Sequence, residues 1–369
     1  MTPEQFIQES SAAALKALYG ATVDPSTLQV QVTRKEFEGD YTLVVFPLLK
    51  ITHSAPQATG DAIGAWLVEN VKEVSAFNSV KGFLNILFSP VYWDELLCEI
   101  VSNPDFGQLP STGRNIMVEF SSPNTNKPLH LGHIRNNLLG DSVSRILKAN
   151  GNTVIKATLV NDRGVHICKS MYAWQQVGEG RTPENTGIKG DHLVGDCYVS
   201  FNDIYCAEVK KLVSEGMTED QAKKEAPSIK AAHEMLVKWE QGDKDVRDLW
   251  TMMNQWVFKG FDETYKSLGI SFDKVDYESQ TYLLGKELVQ KGLEMGVFER
   301  EPDGSVWCDL TGDGLDRKLV LRGDGTSVYI TQDLGTAERR FSQYNLDSHV
   351  YVVGNEQDYH FQVLKLILG

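Results

Sequence analysis

The fold is decided by residues 119–147, EFSSPNTNKPLHLGHIRNNLLGDSVSRIL, which place polar and turn-forming residues at the start of an amphipathic helix. The apolar run NIMVEF leads into this stretch as a strand, and TVIKATLV follows it as a second strand. Strand, helix, strand is the unit of a parallel sheet, so the stretch predicts an α/β fold. The helix should begin near Leu131 and bury an apolar face formed by Leu138, Leu139, Val143, Ile146 and Leu147.

The start of this helix also carries candidate ligand-binding residues. His130 and His133 fall in its first turn, where free N–H groups and the helix dipole favour an anion. Gly132 leaves room for a flat group to approach the backbone, and Lys127 precedes the helix by one turn. We expect this end to bind a polyphosphate. Two alternatives stay open: histidines that only cap or pack the helix, and a zinc site, for which this spacing is a weak pattern.

Composition limits the class of protein. A chain of 369 residues, 41% hydrophobic and 23% charged, is typical of a globular protein with two or three domains. A net charge of −14 excludes a strong non-specific nucleic-acid binder, although not a nucleic acid that docks on a local basic face. Five scattered cysteines without CxxC spacing predict reduced thiols in the cytoplasm. No signal peptide and no apolar run of membrane-spanning length is present.

The first 110 residues predict a small α+β domain. Thr2, Pro3 and Gln5 form a capping-box pattern for a helix that should run to Tyr19. Strand-like runs LQVQVTRKEF and YTLVVFPLLKIT, a helix DAIGAWLVENV, a strand KGFLNILF and a helix PVYWDELLCEIV follow. Residues 103–114, rich in proline, glycine and polar residues, are the expected domain boundary.

Residues 111–369 predict a second domain built on a doubly wound parallel sheet. A mainly helical insertion at about 190–300 should interrupt it. After the insertion the strand-like runs VWCDL, KLVLR, SVYIT and HVYVVG should complete the sheet.

Four ordered stretches resemble one known family. HLGH between a strand and a helix resembles the first signature of class I aminoacyl-tRNA synthetases, and the longer string EFSSPNTNKPLHLGHIRNNLLGD resembles arginyl-tRNA synthetases in particular. The stretches VGDCYVSF, DGTSVYITQDLGTA and VYVVGNEQDYHFQVLKLIL agree with that family. GDYTLVVFPLLK and KGFLNILF are similar to its appended tRNA-binding domain. The resemblance covers most of the chain, weakest at 205–300, and implies a Rossmann-like, HUP-type catalytic domain.

The resemblance implies that L-arginine is activated with ATP and transferred to tRNA(Arg). The catalytic residues would be His130, His133 and Lys127, acting on the phosphates. The same two histidines would bind ATP together with Leu131, Gly132 and His360. Magnesium would accompany the nucleotide on water and phosphate ligands, with no metal site made by the protein.

The arginine pocket implied by the resemblance needs acids, because a guanidinium is a planar fork of donors that carboxylates match. The family pattern assigns Glu119 and Asp333 to the guanidinium. Tyr329, Ser122, Asn124, His133 and Gln357 would complete the pocket, with Asn124 and Gln357 on the α-amino and carboxylate groups. Tyr329-x-Thr331-x-Asp333 reads as a strand running into a turn, although such a tyrosine could also pack and such an aspartate could cap.

The chain departs from the family at several places. Residues 161–166 read Asn-Asp-Arg-Gly-Val-His where the family commonly has Asn-Asp-Trp-Gly-x-Gln, and Gly335 replaces a commoner alanine. A lysine-rich KMSK-like loop and the anticodon-binding domain are absent from the sequence, so we expect a truncated fragment that binds arginine but has little activity alone. We also expect a monomer. The alternatives are another HxGH nucleotidyltransferase that needs no tRNA, a non-catalytic RNA-binding paralogue and, more remotely, a zinc hydrolase.

Overall fold

The computed structural model describes residues 1–178, 180–325 and 327–369 and divides into two compact units. The first unit comprises Met1–Gly107 and the second Gln108–Gly369. The division falls inside residues 103–114, where the sequence predicts a boundary. Each unit buries its own hydrophobic cluster, which is what defines a domain physically.

The first unit alternates helices with short strands. In chain order its elements are α1 (Pro3–Tyr19), β1 (Val30–Val32), β2 (Tyr41–Val44), α2 (Leu49–Thr52), α3 (Pro56–Asn70), β3 (Val74–Val80), β4 (Phe83–Phe88) and α4 (Pro90–Ser102). The strands form one antiparallel sheet in the order β1-β2-β4-β3. The unit therefore has the α+β character that the sequence predicts.

In this unit the local sequence predicts the caps of α1 correctly, but it predicts strand ends poorly. The Thr2 side chain accepts from the Gln5 N–H, the Gln5 side chain returns to the Thr2 N–H, and α1 ends at Gly20 with φ +66°. The predicted strand at 41–52 stops at Val44, because Pro47 opens a 3₁₀ turn instead of continuing the ladder. The sequence also conceals β3, whose alternating polar residues gave no strand signal.

The second unit contains the remaining elements. They are β5 (Asn115–Glu119), α5 (Leu131–Ala149), β6 (Thr153–Val160), α6 (Val165–Ala173), α7 (Pro183–Thr186), α8 (Gly190–Ser214), α9 (Glu219–Glu225), α10 (Pro227–Gln241) and α11 (Lys244–Leu268). They continue with β7 (Lys274–Tyr277), α12 (Glu278–Thr281), α13 (Lys286–Glu294), β8 (Phe298–Arg300), β9 (Val306–Cys308), β10 (Lys318–Leu321), α14 (Tyr329–Tyr344), β11 (Ser348–Tyr351) and α15 (Asp358–Leu368).

Four of these strands form a parallel sheet in the order β11-β5-β6-β7. Ser348 lies opposite Ile116 and Tyr351 opposite Glu119, while β5 pairs with β6 and β6 with β7 in the same direction. The chain places β6 on one side of β5 and, much later, β11 on the other. Ligands of open parallel sheets bind beyond the carboxyl ends of the strands at such a switch point.

The helical insertion lies earlier in the chain than the sequence predicts. It runs from α6 to α11 and ends at Leu268, whereas the sequence placed its end near residue 300. The short run KVDY was missed because two of its four residues are charged, yet it forms β7 of the parallel sheet. The longest helices of the insertion, α8 and α11, have 25 residues each. No helix in the described part of the chain is long and apolar enough to cross a membrane.

The expected second set of strands divides between two sheets. β8, β9 and β10 form a separate antiparallel sheet, so VWCDL and KLVLR are strands but not part of the parallel sheet. Only β11, from HVYVVG, joins the parallel sheet. The predicted strand SVYIT is wrong, since Tyr329 is the first residue of α14.

Helix α5 begins at Leu131 as predicted, but of its predicted apolar face only Val143 and Leu147 are half-buried, and Leu147 packs against the core. Leu138, Leu139 and Ile146 are 50%, 49% and 62% exposed. The buried residues of the helix are instead small or polar: Asn137, Gly140, Asp141 and Ser144. The cause is close packing, since a Cβ on Gly140 would lie 2.2 Å from the Phe120 ring. A leucine has no room on that face.

Candidate active site

Acidic residues follow three neighbouring strands at the carboxyl edge of the parallel sheet. Glu119 ends β5, Asp162 lies two residues beyond β6, and Glu278 comes directly after β7. Asp162 is 2% exposed and Glu278 9%. Burying several carboxyl groups together costs free energy unless cations offset them. This edge is therefore suited to receive a cation.

A strained turn fixes the chain just beyond β5. Ser121 and Ser122 have φ values of +72° and +42°, a left-handed region that residues other than glycine rarely adopt. The Ser121 N–H donates to Asn136 Oδ1 at 2.6 Å, and the Ser122 N–H donates to Thr158 Oγ1 at 3.1 Å. The surroundings thus hold the strained backbone, as is common at functional sites.

The segments after β5 and β6 run side by side. Asn124 forms a parallel bridge with Asn161, the Asn161 N–H donates to the Pro123 carbonyl at 2.9 Å, and the Thr125 N–H donates to the Asn161 carbonyl at 3.0 Å. Asn124 is exposed and its side-chain amide makes no hydrogen bond within the described part of the chain. It is therefore free to contact a ligand at this edge.

The two histidines of HLGH cap α5 reciprocally. The Gly132 N–H donates to His130 Nδ1 at 3.1 Å, and the His130 N–H donates to His133 Nδ1 at 3.2 Å. Because each Nδ1 accepts a hydrogen bond, each ring carries its own proton on Nε2. Both rings therefore cap the helix and still offer one N–H donor each. Capping and ligand binding are compatible roles here.

The electrostatic surroundings of the start of α5 favour an anionic ligand. Burial, His130 and Lys127 together lower the pKa of His133 to about 4, so its imidazole is neutral at pH 7. No carboxylate pairs with Lys127 among the described residues. Leu131, 85% exposed, lies at the surface beside the rings. The helix start thus presents N–H donors, a lysine and a helix dipole to an incoming anion.

The neighbouring His130 ring explains why residue 132 is a glycine. A Cβ at this position would lie 2.8 Å from His130 Cε1 and 3.0 Å from His130 Nδ1. Any side chain at residue 132 would therefore push the His130 ring away from the helix cap. The space that the sequence assigned to a flat ligand is, on this side of the backbone, filled by the histidine.

Glu119 already has internal partners on both oxygens. Ser122 Oγ donates to its Oε1 at 3.1 Å, and Arg340 donates to its Oε2. The Arg340 guanidinium, 1% exposed, also donates through Nε and Nη2 to Asp276 Oδ2 at 3.0 and 2.8 Å. Burial alone would lower the pKa of Arg340, but Glu119 and Asp276 raise it, so it stays charged. Binding of a substrate guanidinium by Glu119 therefore stays a prediction.

Tyr329 and Asp333 share a face, but for a different reason than predicted. They stand four residues apart on α14, one helical turn, and not on a strand. Tyr329 is 74% exposed, which leaves its ring available to a ligand. Asp333 Oδ2 accepts from His360 Nε2 at 2.6 Å, so two residues that the sequence assigned to different substrates are in direct contact.

Glu278 is the acid that the sequence did not reveal. Burial, Asp162 and Asp333 raise its pKa to about 7, and Arg163 opposes the shift. Its carboxyl group forms no hydrogen bond or ion pair among the described residues. Asp162 fixes its position by accepting from the Ser279 N–H and Oγ at 2.8 and 2.7 Å. A signal existed, since Glu278 directly follows a strand at the edge where Glu119 ends β5, but β7 itself was not recognised.

Gln357 and the family departures lie apart from these contacts. Gln357 is exposed at the end of a 3₁₀ turn and makes no side-chain hydrogen bond in the described residues. Arg163 stacks 3.9 Å from the Tyr282 ring and pairs with Glu240, so a cation takes the place of the family's aromatic residue. His166 Nδ1 lies 3.2 Å from the Tyr198 hydroxyl.

Gly335, another departure, stands where two backbones meet. A Cβ there would lie 2.2 Å from the Gly285 N atom and 2.5 Å from the Leu284 carbonyl carbon. The segment before α13 therefore touches α14 directly, just beyond Asp333. The commoner alanine would force these backbones apart in this chain.

The fold and the residues at its edge define an α/β protein with N–H donors at the start of α5 and carboxyl groups at the ends of the neighbouring strands. No group of three or more His, Cys, Asp or Glu residues arranged for a metal ion occurs among the described residues. The profile of the family "tRNA synthetases class I (R), catalytic domain" matches residues 99–369. The chain belongs to this family, the class I arginyl-tRNA synthetases.

Curated relatives agree over the whole chain. The arginine–tRNA ligase of Bacteroides thetaiotaomicron is 56% identical over 370 residues, which cover 100% of this chain and 62% of the relative. That of Porphyromonas gingivalis is 56% identical over 366 residues, 99% of this chain and 61% of the relative. The chain thus spans about three fifths of the length of these relatives.

Solved structures share the fold. The Thermus thermophilus arginyl-tRNA synthetase superposes with a TM-score of 0.54 at 24% identity, covering 92% of this chain and 53% of that one. The Plasmodium falciparum arginyl-tRNA synthetase gives 0.57 at 18% identity, covering 99% and 61%. The arginyl-tRNA synthetase fold, with its parallel sheet and many helices, therefore extends to this chain.

Proposed function

We propose that this chain carries the substrate sites of an arginine–tRNA ligase, which activates L-arginine with ATP and transfers it to tRNA(Arg). In the first step a carboxylate oxygen of arginine attacks the α-phosphorus of ATP, the bond to the β-phosphate breaks, and pyrophosphate leaves. The proposal rests on one observation: N–H donors and carboxyl groups both lie at the carboxyl edge of the parallel sheet. Donors at the start of α5 suit the phosphates, and the acids after β5 and β7 suit the guanidinium.

The nucleotide half would be formed by the start of α5. The Nε2–H groups of His130 and His133 would donate to phosphate oxygens, and Lys127 would neutralise charge that develops at the α-phosphate. Leu131 and Gly132 would lie against the adenosine. The sheet would then act as a Rossmann-like, HUP-type nucleotide-binding sheet, with the ligand at its switch point.

Magnesium fits this arrangement as a companion of the nucleotide. The described residues provide no protein cage for a divalent cation, whereas a triphosphate brings its own oxygen ligands. When bound, the ion would neutralise phosphate charge. The residues of this chain would hold the nucleotide itself.

The arginine half would be formed by Glu278, Asp333 and Tyr329. Glu278 is buried and unpaired, and Asp333 has one oxygen occupied by His360 and one without a partner in the described residues. Asn124 and Gln357, both exposed with free amides, would contact the α-amino and carboxylate groups. Ser122 and Glu119 would support this half from the strained turn after β5.

The first unit is proposed to bind tRNA. Phe46 and Phe83 are 46% and 39% exposed and lie edge to face with ring centroids 5.6 Å apart, beside Gly82. Exposed aromatic rings are the groups on which unpaired bases stack. Because the net charge is −14, recognition would rely on such contacts and on a local surface. We also propose a cytoplasmic monomer, and the five free cysteines of the described structure agree with a reducing compartment.

Calorimetric titration tests the proposed function directly. L-arginine should bind to the chain, whereas L-lysine and neutral citrulline should bind at least about 10⁴-fold more weakly, since buried acids would lose a matching partner. Asp333→Asn should abolish arginine binding and leave ATP binding intact. An unresponsive parent chain, or equal binding of citrulline, would contradict the assignment of arginine as substrate.

The unpaired carboxyl group of Glu278 should make stability depend on pH. The folded protein keeps the Glu278 proton up to about pH 7, whereas the unfolded chain loses it near its ordinary pKa of 4.5. Stability should therefore fall as pH rises from about 4.5 to about 7 and stay low above that. Glu278→Gln removes this cost, so it should exceed the parent at pH 8 by up to about 3 kcal/mol in free energy of unfolding and match it at pH 4.

Urea titrations at pH 4, 6 and 8 measure this difference. Glu287→Gln, on the exposed side of α13, is the matched control and should leave the profile of the parent unchanged. Arginine should stabilise the parent at pH 8 more than it stabilises Glu278→Gln. A variant that is less stable than the parent at pH 8 would show that Glu278 is a structural residue with a partner of its own.

A further inference from the structure

The contact between His360 and Asp333 changes the role that the sequence gave to His360. His360 Nε2 lies 2.6 Å from Asp333 Oδ2, and the two side chains are 29% and 30% exposed. We propose that His360 is a positioning residue for arginine specificity: it holds Asp333 so that the second carboxylate oxygen points to the incoming guanidinium. This inference rests on the proposed function and deepens it.

The imidazole is held firmly on its own helix. His360 is the third residue of α15, and its ring stands edge-on to Phe361 with centroids 5.5 Å apart. Phe361 in turn packs 4.6 Å from the Tyr351 ring at the end of β11. The ring therefore approaches Asp333 from a backbone anchored to the parallel sheet.

The helix that carries Asp333 is fixed against the same core. Ile330 and Leu334 of α14 are buried in one hydrophobic cluster with Val363 and Leu364 of α15. Asp333 precedes Leu334, so this packing sets the distance between the two helices where the carboxylate meets the imidazole. The contact is thus a consequence of core packing and not of two mobile surface side chains.

The hydrogen-bonding capacity of both groups gives the contact a direction. An ionised carboxylate only accepts, so the proton lies on His360 Nε2 and is donated to Oδ2. Asp333 Oδ1 has no partner within the described residues and is left for a ligand. Since Nε2 is already used, the ring cannot donate the same proton to a phosphate oxygen.

The surroundings of Asp333 explain why it needs such a partner. Besides burial, Asp333 contributes to the raised pKa of Glu278, and Glu119 and Asp333 contribute to that of Tyr351, so these acids lie within electrostatic reach of one another. Arg340 offsets Glu119 but makes no contact with Asp333. The His360 N–H can orient Asp333 through one carboxylate oxygen and leave the other oxygen available to a guanidinium.

The proposal predicts a loss confined to arginine. His360→Ala should weaken arginine binding by about 10- to 100-fold, the usual effect of losing a hydrogen bond to a charged group. ATP binding should change by less than about twofold, whereas a direct ATP contact would show the opposite pattern. His360→Gln places an amide nitrogen near the position of Nε2 and should restore most of the arginine affinity.

Calorimetry on the whole chain decides between these outcomes. Arginine and ATP are titrated into the parent and into the variants His360→Ala, His360→Gln and Asp333→Glu. Asp333→Glu keeps an acid but lengthens its side chain, so its arginine affinity should fall. In an Asp333→Glu background, His360→Ala should cost at least about threefold less than in the parent. Loss of ATP binding with arginine binding intact, or no rescue by glutamine, overturns the proposal. A parent that binds no arginine would instead refute the proposed function itself.

Discussion

His133→Asn is expected to slow the formation of arginyl-adenylate by about 10²–10³-fold while leaving the protein as stable as the parent. The rate loss follows because the variant lacks the outward Nε2–H donor that we assign to the phosphates. Stability should persist because asparagine Oδ1 lies near the position of the histidine Nδ1. It can still accept the His130 N–H that closes the cap of α5.

The neighbouring cap residue gives a second, independent test. Asparagine is among the best residues at a helix N-cap, so His130→Asn should maintain or raise the unfolding midpoint. It also removes an outward donor and should slow adenylate formation by a similar factor. His133→Gln keeps a capping-box residue at this position, as Gln5 does in α1, so it should also keep the stability of the parent while it lacks the Nε2–H donor.

These rates are measured as ATP–pyrophosphate exchange in the complete gene product with arginine and tRNA present, and the stabilities by urea titration. Asparagine variants with full activity would show that the histidines serve only as a helix cap. That is the alternative left open by the sequence. Asparagine variants that unfold early would show that the rings also pack the helix.

The parts of the site that depend on neighbouring residues could be predicted from the sequence. Helix caps are local, so Thr2 and His130 could be placed at the starts of their helices from residues at most three positions away. The carboxyl-edge position of Glu119 also followed, since strand, helix and strand together imply a parallel sheet. In both cases neighbouring residues alone determine the arrangement.

Distant contacts decide what the sequence misplaced. The run Val-Tyr-Ile-Thr at 328–331 has strand-forming residues, yet Thr331 Oγ1 donates to the Val320 carbonyl and accepts from the Val328 N–H at 3.2 Å, which starts a helix. The apolar stripe of α5 predicted mostly the wrong face because Phe120, directly after β5, admits only Gly140 against its ring. Periodicity contains no information about such close approaches.

The acids of the site show the same limit. Glu119 and Arg340 are 221 residues apart in sequence, so nothing near Glu119 indicates that a guanidinium from this chain already occupies it. Glu278 was missed because its strand is only four residues long and half charged. Both findings shift the proposed arginine pocket from the Glu119–Asp333 pair towards Glu278 and Asp333.

Of the single substitutions that we predict in the second unit, Arg340→Met should be the most destabilising. It should lower the free energy of unfolding by about 3–5 kcal/mol. The methionine fills much of the space but removes the cation that joins β5 to β7. Asp276 retains Arg339 and Lys274 as partners at 2.8 and 3.4 Å. Among the described residues Glu119 keeps the Ser122 hydroxyl and the His349 ring, whose Nε2 lies 3.9 Å away and whose pKa is lowered to about 3, so it retains no cation and most of the loss should come from this one buried carboxylate.

A double substitution separates the charge from the packing. Adding Glu119→Gln to Arg340→Met removes the unpaired carboxylate and should recover at least about half of the lost stability, because breaking a buried ion pair costs more than replacing both partners. Urea titration of the parent, the two single variants and the double variant gives the coupling between the residues. A coupling near zero would mean that Arg340 stabilises the unit through packing alone. Glu119 would then be free to bind the substrate guanidinium, and the pocket would return to the pair of acids that the family pattern implies.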